Sequence, residues 1–253
     1  MVKGELAIPV SIAATAGAPD TIYVADIFAF RSVDGATGKV TDIARSHAKG
    51  SPIHYPVAVS TDGVRVMLVN SDGTVQKYDA RTNALVASWS LRGVRGTHAF
   101  ENDVLVVLAD GSVKRLTGSD TTGKLVARGL TNLAGFALGT GTAAFAVDAG
   151  AGRISRIDLV TGEAAVIATN LRNPRGLALT SGNDLLTIEM DARRLVHIDI
   201  ASGTHTTVAT DLPVGGANNP TMAAGIAVGR GDVIYLSSDV ENSLWRLTPK
   251  PAH

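Results

Sequence analysis

The sequence predicts an all-β protein, a six-bladed β-propeller whose last blade is closed by the N-terminal strand. Three observations lead there. Four-strand units recur with a period of about 40 residues, as between Ile157 and Ile198. Each unit consists of short runs rich in Val, Ile, Leu and Ala, bounded by Gly, Asp, Asn and Thr, and lacks helical spacing. The last copy holds only three strands, while the chain opens with a segment that looks like a fourth.

The first blade, over 9–46, is marked by Ile22-Tyr23-Val24-Ala25-Asp26 and by a third strand ending at Val33-Asp34. The second, over 52–90, carries the equivalent end at Tyr78-Asp79. The third, over 94–129, shortens its first turn to Glu101-Asn102-Asp103 and ends its third strand at Leu116-Thr117. The fourth, over 131–170, contains Leu133 to Leu138, Ala143 to Val147, Arg153 to Asp158 and Ala164 to Ala168. The fifth, over 172–212, is the clearest: Pro174 to Leu179, Asp184 to Glu189, Arg194 to Asp199, and Thr206 to Ala209. The sixth spans 220–248 and is completed by 4–8, because Gly4-Glu5-Leu6-Ala7-Ile8 mirrors Gly162-Glu163-Ala164-Ala165-Val166. Pairing the two chain ends in one sheet removes an open edge and ties the ring. All 253 residues then form one domain.

Pro174-Arg175-Gly176-Leu177-Ala178-Leu179, together with Ile22-Tyr23-Val24-Ala25-Asp26 and Ile234-Tyr235-Leu236-Ser237-Ser238-Asp239, resembles the NHL repeat. There Pro-x-Gly-Ile-Ala-Val precedes Ile-Tyr-Val-x-Asp. The chain is also similar to the wider superfamily of gluconolactonases and regucalcin-like (senescence marker protein) propellers. That scaffold serves hydrolases, lyases, sensors and binding modules alike, so the resemblance implies the fold more than the function.

Lys plus Arg and Asp plus Glu balance at 23 each, leaving no net field to draw a nucleic-acid backbone. No apolar run approaches the roughly 20 residues that span a bilayer, and Pro9 and Glu5 spoil the N-terminal apolar run as an export signal. Neither nucleic-acid binding nor membrane insertion is expected. The absence of cysteine rules out disulfide and thiol chemistry, and the compartment stays open.

In the architecture this resemblance implies, first strands line the axis, and the loops leading into them meet the loops between second and third strands at one mouth. The lead-in loops would bring His54, Tyr55, Arg95, Asn132, Asn173, Arg175 and Asn219; the other set would bring Asp26, Asp72, Asp110, Asp148, Glu189, Asp191, Asp239 and Glu241. The resemblance further implies a divalent ion held on the axis by Glu, Asn and Asp. Here the corresponding positions read Val10, Tyr55, Gly96, Ala134, Arg175 and Ala224, which supply few oxygen ligands, so no cofactor is expected. His54 and His98 come from neighbouring blades but lack a third ligand, and His98 replaces apolar residues of other copies, as a packed, hydrogen-bonded histidine would.

Two functions follow. One is a noncatalytic propeller that binds a small molecule or protein at the channel mouth through Tyr55, Arg175, Asn173, Asn132 and Asn219. The other is a small-molecule hydrolase or lyase, lactonase- or esterase-like, with Glu189 as acid or base, sharing a proton with Asp148 of the adjacent blade or raised in pKa by burial, and His54 assisting. No Gly-x-Ser-x-Gly elbow or Gly-rich phosphate loop accompanies them.

Overall fold

Six antiparallel sheets follow one another along the chain. The structure, a computed structural model, describes residue 2 and residues 5–131, 133–215 and 225–248. Blade 1 contains β1 (Pro9–Thr15), β2 (Thr21–Asp26), β3 (Ala29–Asp34) and β4 (Val40–Arg45). Blade 2 contains β5 (Pro56–Thr61), β6 (Arg65–Asn70), β7 (Thr74–Asp79) and β8 (Leu85–Ser90). Blade 3 contains β9 (Val94–Phe100), β10 (Asp103–Leu108), β11 (Val113–Leu116) and β12 (Lys124–Ala127). Blade 4 contains β13 (Leu133–Leu138), β14 (Ala143–Asp148), β15 (Arg153–Asp158) and β16 (Ala164–Ala168). Blade 5 contains β17 (Pro174–Leu179), β18 (Leu185–Glu189), β19 (Arg194–Ile198) and β20 (His205–Ala209). Blade 6 contains β21 (Ile226–Val228), β22 (Ile234–Ser238) and β23 (Ser243–Leu247).

Burial explains the composition of each strand. The second strands are largely apolar, with their polar residues mostly at the ends, because neighbouring blades cover both of their faces: β10, β14, β18 and β22 are buried at every residue. The fourth strands, on the rim, are the most exposed, as in β8 and β20. Six apolar clusters each join two adjacent blades, including one that sets Ile12, Ile22 and Val24 of blade 1 against Ala227, Tyr235 and Leu244 of blade 6. Neighbouring first strands also touch in turn, β1 meeting both β5 and β21, so the ring is closed.

The N-terminal segment joins the last blade, but not through the expected residues. Val2 exchanges two backbone hydrogen bonds with Leu244, at 3.1 and 3.2 Å. Leu6 to Ile8, expected as the closing strand, form no strand. The Ala7 and Ile8 N–H groups instead donate to the Asp26 carboxylate, at 2.9 and 2.6 Å, while Leu6 packs into the blade 1–blade 6 cluster. On the opposite face the same blades are pinned by Asp20, which accepts from the Tyr235 hydroxyl at 2.8 Å and from the Arg230 N–H at 3.1 Å. Among the described residues no helix is long and apolar enough to cross a membrane.

Candidate functional site

The six first strands enclose a central channel of about 630 Å³. Its wall is made largely of small residues, because the innermost strands approach one another closely: a Cβ on Gly135 of blade 4 would lie 2.9 Å from the Gly176 backbone of blade 5. Strand edges facing the axis carry backbone groups with no partner in their own sheet. Side chains from the preceding blade take up some of them. Ser11 bonds both the N–H and the carbonyl of Val59, Ser60 donates to the Thr97 carbonyl at 2.5 Å, and His98 donates to the Phe136 carbonyl at 3.1 Å. Burial holds the His98 pKa down at about 4, against the opposing pull of that carbonyl, so the ring is neutral.

At the channel mouth the first strands of blades 1 to 5 each carry a register shift, which re-aims side chains. The irregularity leaves Val10, Val57, Arg95 and Ala134 out of register with their second strands. In blade 5 Arg175 stays in register with Ile188, and the irregularity falls at Gly176 and Leu177, where the Thr187 hydroxyl donates to the Gly176 carbonyl at 2.8 Å; Arg175 follows Pro174 as Ala134 follows Leu133 and takes the same ring position. The equivalent ring positions are therefore Val57 and Arg95, where sequence alignment suggested Tyr55 and Gly96. Two arginines, with one blade between them, line the channel.

The carboxylates expected at the mouth are committed elsewhere. Glu189 has 0% exposure and does not line the channel. One oxygen accepts the Arg172 N–H at 3.0 Å and the other pairs with Arg194 Nε. Asp148 accepts the Thr131 hydroxyl and the Ala151 N–H and pairs with Arg153 at 3.1 Å. Asp26 does the same for Ala7 and Ile8, with Arg31 Nε 3.4 Å away. In blades 1, 4 and 5, then, the acid ending the second strand fastens the lead-in loop, and an arginine five positions later neutralises it. Asn70 and Ser238 fasten the loops of blades 2 and 6 with neutral groups, through the His54 N–H and the Pro213 carbonyl. Glu189 and Asp148 stay in separate blades with separate partners, which sets them apart from the coupled acid–base pair expected.

His54 is solvent-exposed and lies outside the channel wall. Its neighbour Tyr55, at φ +52°, projects to the surface and packs edge-on against Phe28 and His47, with ring centroids 6.1 and 5.4 Å away. Phe28 is 44% exposed and Tyr55 40%, so blades 1 and 2 present an aromatic cluster beside the mouth. The sequence reading singles out neither Phe28 nor His47, although an aromatic residue in the two-residue turn between β2 and β3 was the available signal. Asn173, at φ +48°, donates to Asp191 at 2.9 Å and accepts from Arg175 Nε at 3.2 Å, fixing the guanidinium at the channel. Burial lowers the Arg175 pKa, Asp191 opposing it, and the group stays charged. Asn132 and Asn219 lie outside the described residues.

A hard divalent cation needs several convergent oxygens. The ring positions Val10, Val57, Arg95, Ala134 and Arg175 offer alkyl groups and positive charge, which do not fit such an ion. Among the described residues no three His, Asp or Glu side chains are grouped to hold a metal.

No protein-family model matches the chain, and no curated protein matches it. Solved structures do. A gluconolactonase from Xanthomonas campestris superposes with a TM-score of 0.71 at 13% identity, covering 96% of this chain and 86% of that one. Streptogramin B lyase gives 0.66 at 13% identity, covering 99% and 86%. A chain of the nidogen/laminin complex gives 0.65 at 16% identity, covering 87% and 84%. The fold is gluconolactonase-like. What these structures share with this chain is the propeller fold; the activities and assemblies in their names belong to them.

Proposed function

We propose that this protein is a binding propeller whose ligand seats at the channel mouth, between the arginines of blades 3 and 5 and the aromatic cluster of blades 1 and 2. The observation that supports this reading best is the contrast between two sets of polar groups. Glu189 and Asp148 are consumed in holding loops, whereas Arg95 and Arg175 line the channel. The hydrolase or lyase alternative needs Glu189 and His54 at a reacting atom; one is enclosed in its blade and the other lies outside the channel wall.

The test is a thermal-shift and native mass-spectrometry screen of small molecules, lactones and esters included, on the wild type and on Ala134→Trp. The tryptophan would fill the mouth between the two arginine-bearing blades. A ligand held by the wild type and lost by the variant is the expected result. Turnover of a lactone or ester, or a ligand retained undiminished by Ala134→Trp, would contradict the reading.

A further inference from the structure

Blades 3 and 5 carry the same short motif at the same place: Arg92-Gly93-Val94-Arg95 and Arg172-Asn173-Pro174-Arg175. In each, the first arginine sits in the lead-in loop and the second is the second residue of the first strand, where it lines the channel. The matching segments of blades 1, 2 and 4 read Ala7 to Val10, His54 to Val57 and Thr131 to Ala134, without an arginine. Arg92, Arg95 and Arg172 are exposed, and their guanidinium groups have no ion-pair partner among the described residues. Arg128, in the lead-in loop of blade 4 between them, adds a fifth positive charge.

Little on this face offsets them. Asp148 and Glu189 are paired inside their blades, which leaves Asp110 and Asp191 as two carboxylates against the five arginines, Asp191 acting on Arg175. The loop between the second and third strands of blade 4, Ala149-Gly150-Ala151-Gly152, has no charge at all. Much of the balancing acid lies on the opposite face, where Asp34, Asp79, Asp120, Asp158 and Asp199 accept the N–H groups of the turns after the third strands. The neutral total therefore conceals a positive sector over blades 3 to 5, which overall charge could not reveal.

Resting on the mouth-binding reading, we infer that the two Arg-x-x-Arg segments form a receptor for a small multivalent anion bearing phosphate or carboxylate groups. Guanidinium forks match both groups bidentately, and two forks with one blade between them favour an anion with two charged ends over a monovalent one.

The test is isothermal titration with sodium pyrophosphate and with citrate, at constant ionic strength, against acetate as the monovalent control. Wild type, Arg92→Gln/Arg172→Gln and Arg45→Gln are compared; Arg45 pairs with Asp42 in blade 1 and serves as the charge-loss control. Saturable binding of pyrophosphate or citrate is expected, weakened about tenfold or more in the double variant and unchanged in Arg45→Gln. Which of the two binds identifies the anionic group. Absence of saturable binding, equal binding of acetate, or equal loss in both variants would overturn the inference. If the small-molecule screen finds a neutral ligand that Ala134→Trp excludes while both anions fail, only this inference falls and mouth binding stands.

Discussion

His98 of blade 3 donates its Nε2 proton to the carbonyl oxygen of Phe136 in blade 4, at 3.1 Å, across the innermost seam of the ring. A carbonyl can only accept, so the neutral ring carries its proton on Nε2. The pKa falls from its ordinary 6.5 to about 4 because burial disfavours the charged ring more than the carbonyl stabilises it. The unfolded chain then takes up a proton near pH 6.5 and the folded chain only near 4. Stability is full above 6.5 and declines as pH falls from 6.5 to 4, by about 3 kcal/mol at most. Urea unfolding of the wild type across that window is expected to show the decline. His98→Gln, which keeps a donor without titrating, is expected to flatten it.

Gly135 and Gly176 let blades 4 and 5 approach as no other residues would. A Cβ on Gly135 would stand 2.9 Å from the Gly176 carbonyl carbon, which is backbone and has little freedom to move. Gly135→Ala should therefore destabilise by about 1–3 kcal/mol through overpacking. Gly182→Ala, whose added Cβ would meet nothing nearer than 3.7 Å, should stay within about 0.5 kcal/mol in the same chemical-denaturation assay.

Asp20 locks blade 1 to blade 6. Burial pushes its pKa up, but the Gly17 and Arg230 N–H groups, the Tyr235 hydroxyl and Arg246 outweigh burial, and the net value lies below 3.8. The carboxylate thus contributes stability above 3.8 that is lost as pH falls through its lower folded value. Tyr235→Phe removes a charge-assisted hydrogen bond and should cost about 1.5–3 kcal/mol at pH 6. The gap from wild type should close below pH 3.8, as Asp20 takes up its proton; a pH-independent gap would show that the hydroxyl acts through packing alone.

The blade map was legible because its signals are local and repeated: apolar runs where strands are sandwiched, Asp and Gly where turns need backbone acceptors or positive φ. The ring closure was legible in kind but not in residue. Leu6 to Ile8 look like a strand, yet Asp26 draws their N–H groups into the same loop-fastening role that Glu189 plays for Arg172. That role was in fact written in the sequence, as the five-residue spacings Asp26/Arg31, Asp148/Arg153 and Glu189/Arg194. Read singly, Glu189 looked like a catalytic exception among aspartates; read as a repeat, it is one of three acids with the same partner. Arg95 and Arg175 could be placed on one ring only after the bulges were located, because a one-residue irregularity shifts every inward position after it.

The melting of Glu189→Gln tests most directly whether the mouth is built on structural carboxylates. The exchange replaces a charge-assisted hydrogen bond to the half-buried Arg194 by one to a neutral amide, which costs about 1.5–3 kcal/mol. For a chain of this length the melting temperature should fall by roughly 3–12 °C. An unchanged melting temperature would contradict the assignment and return Glu189 to the acid–base role the sequence first suggested.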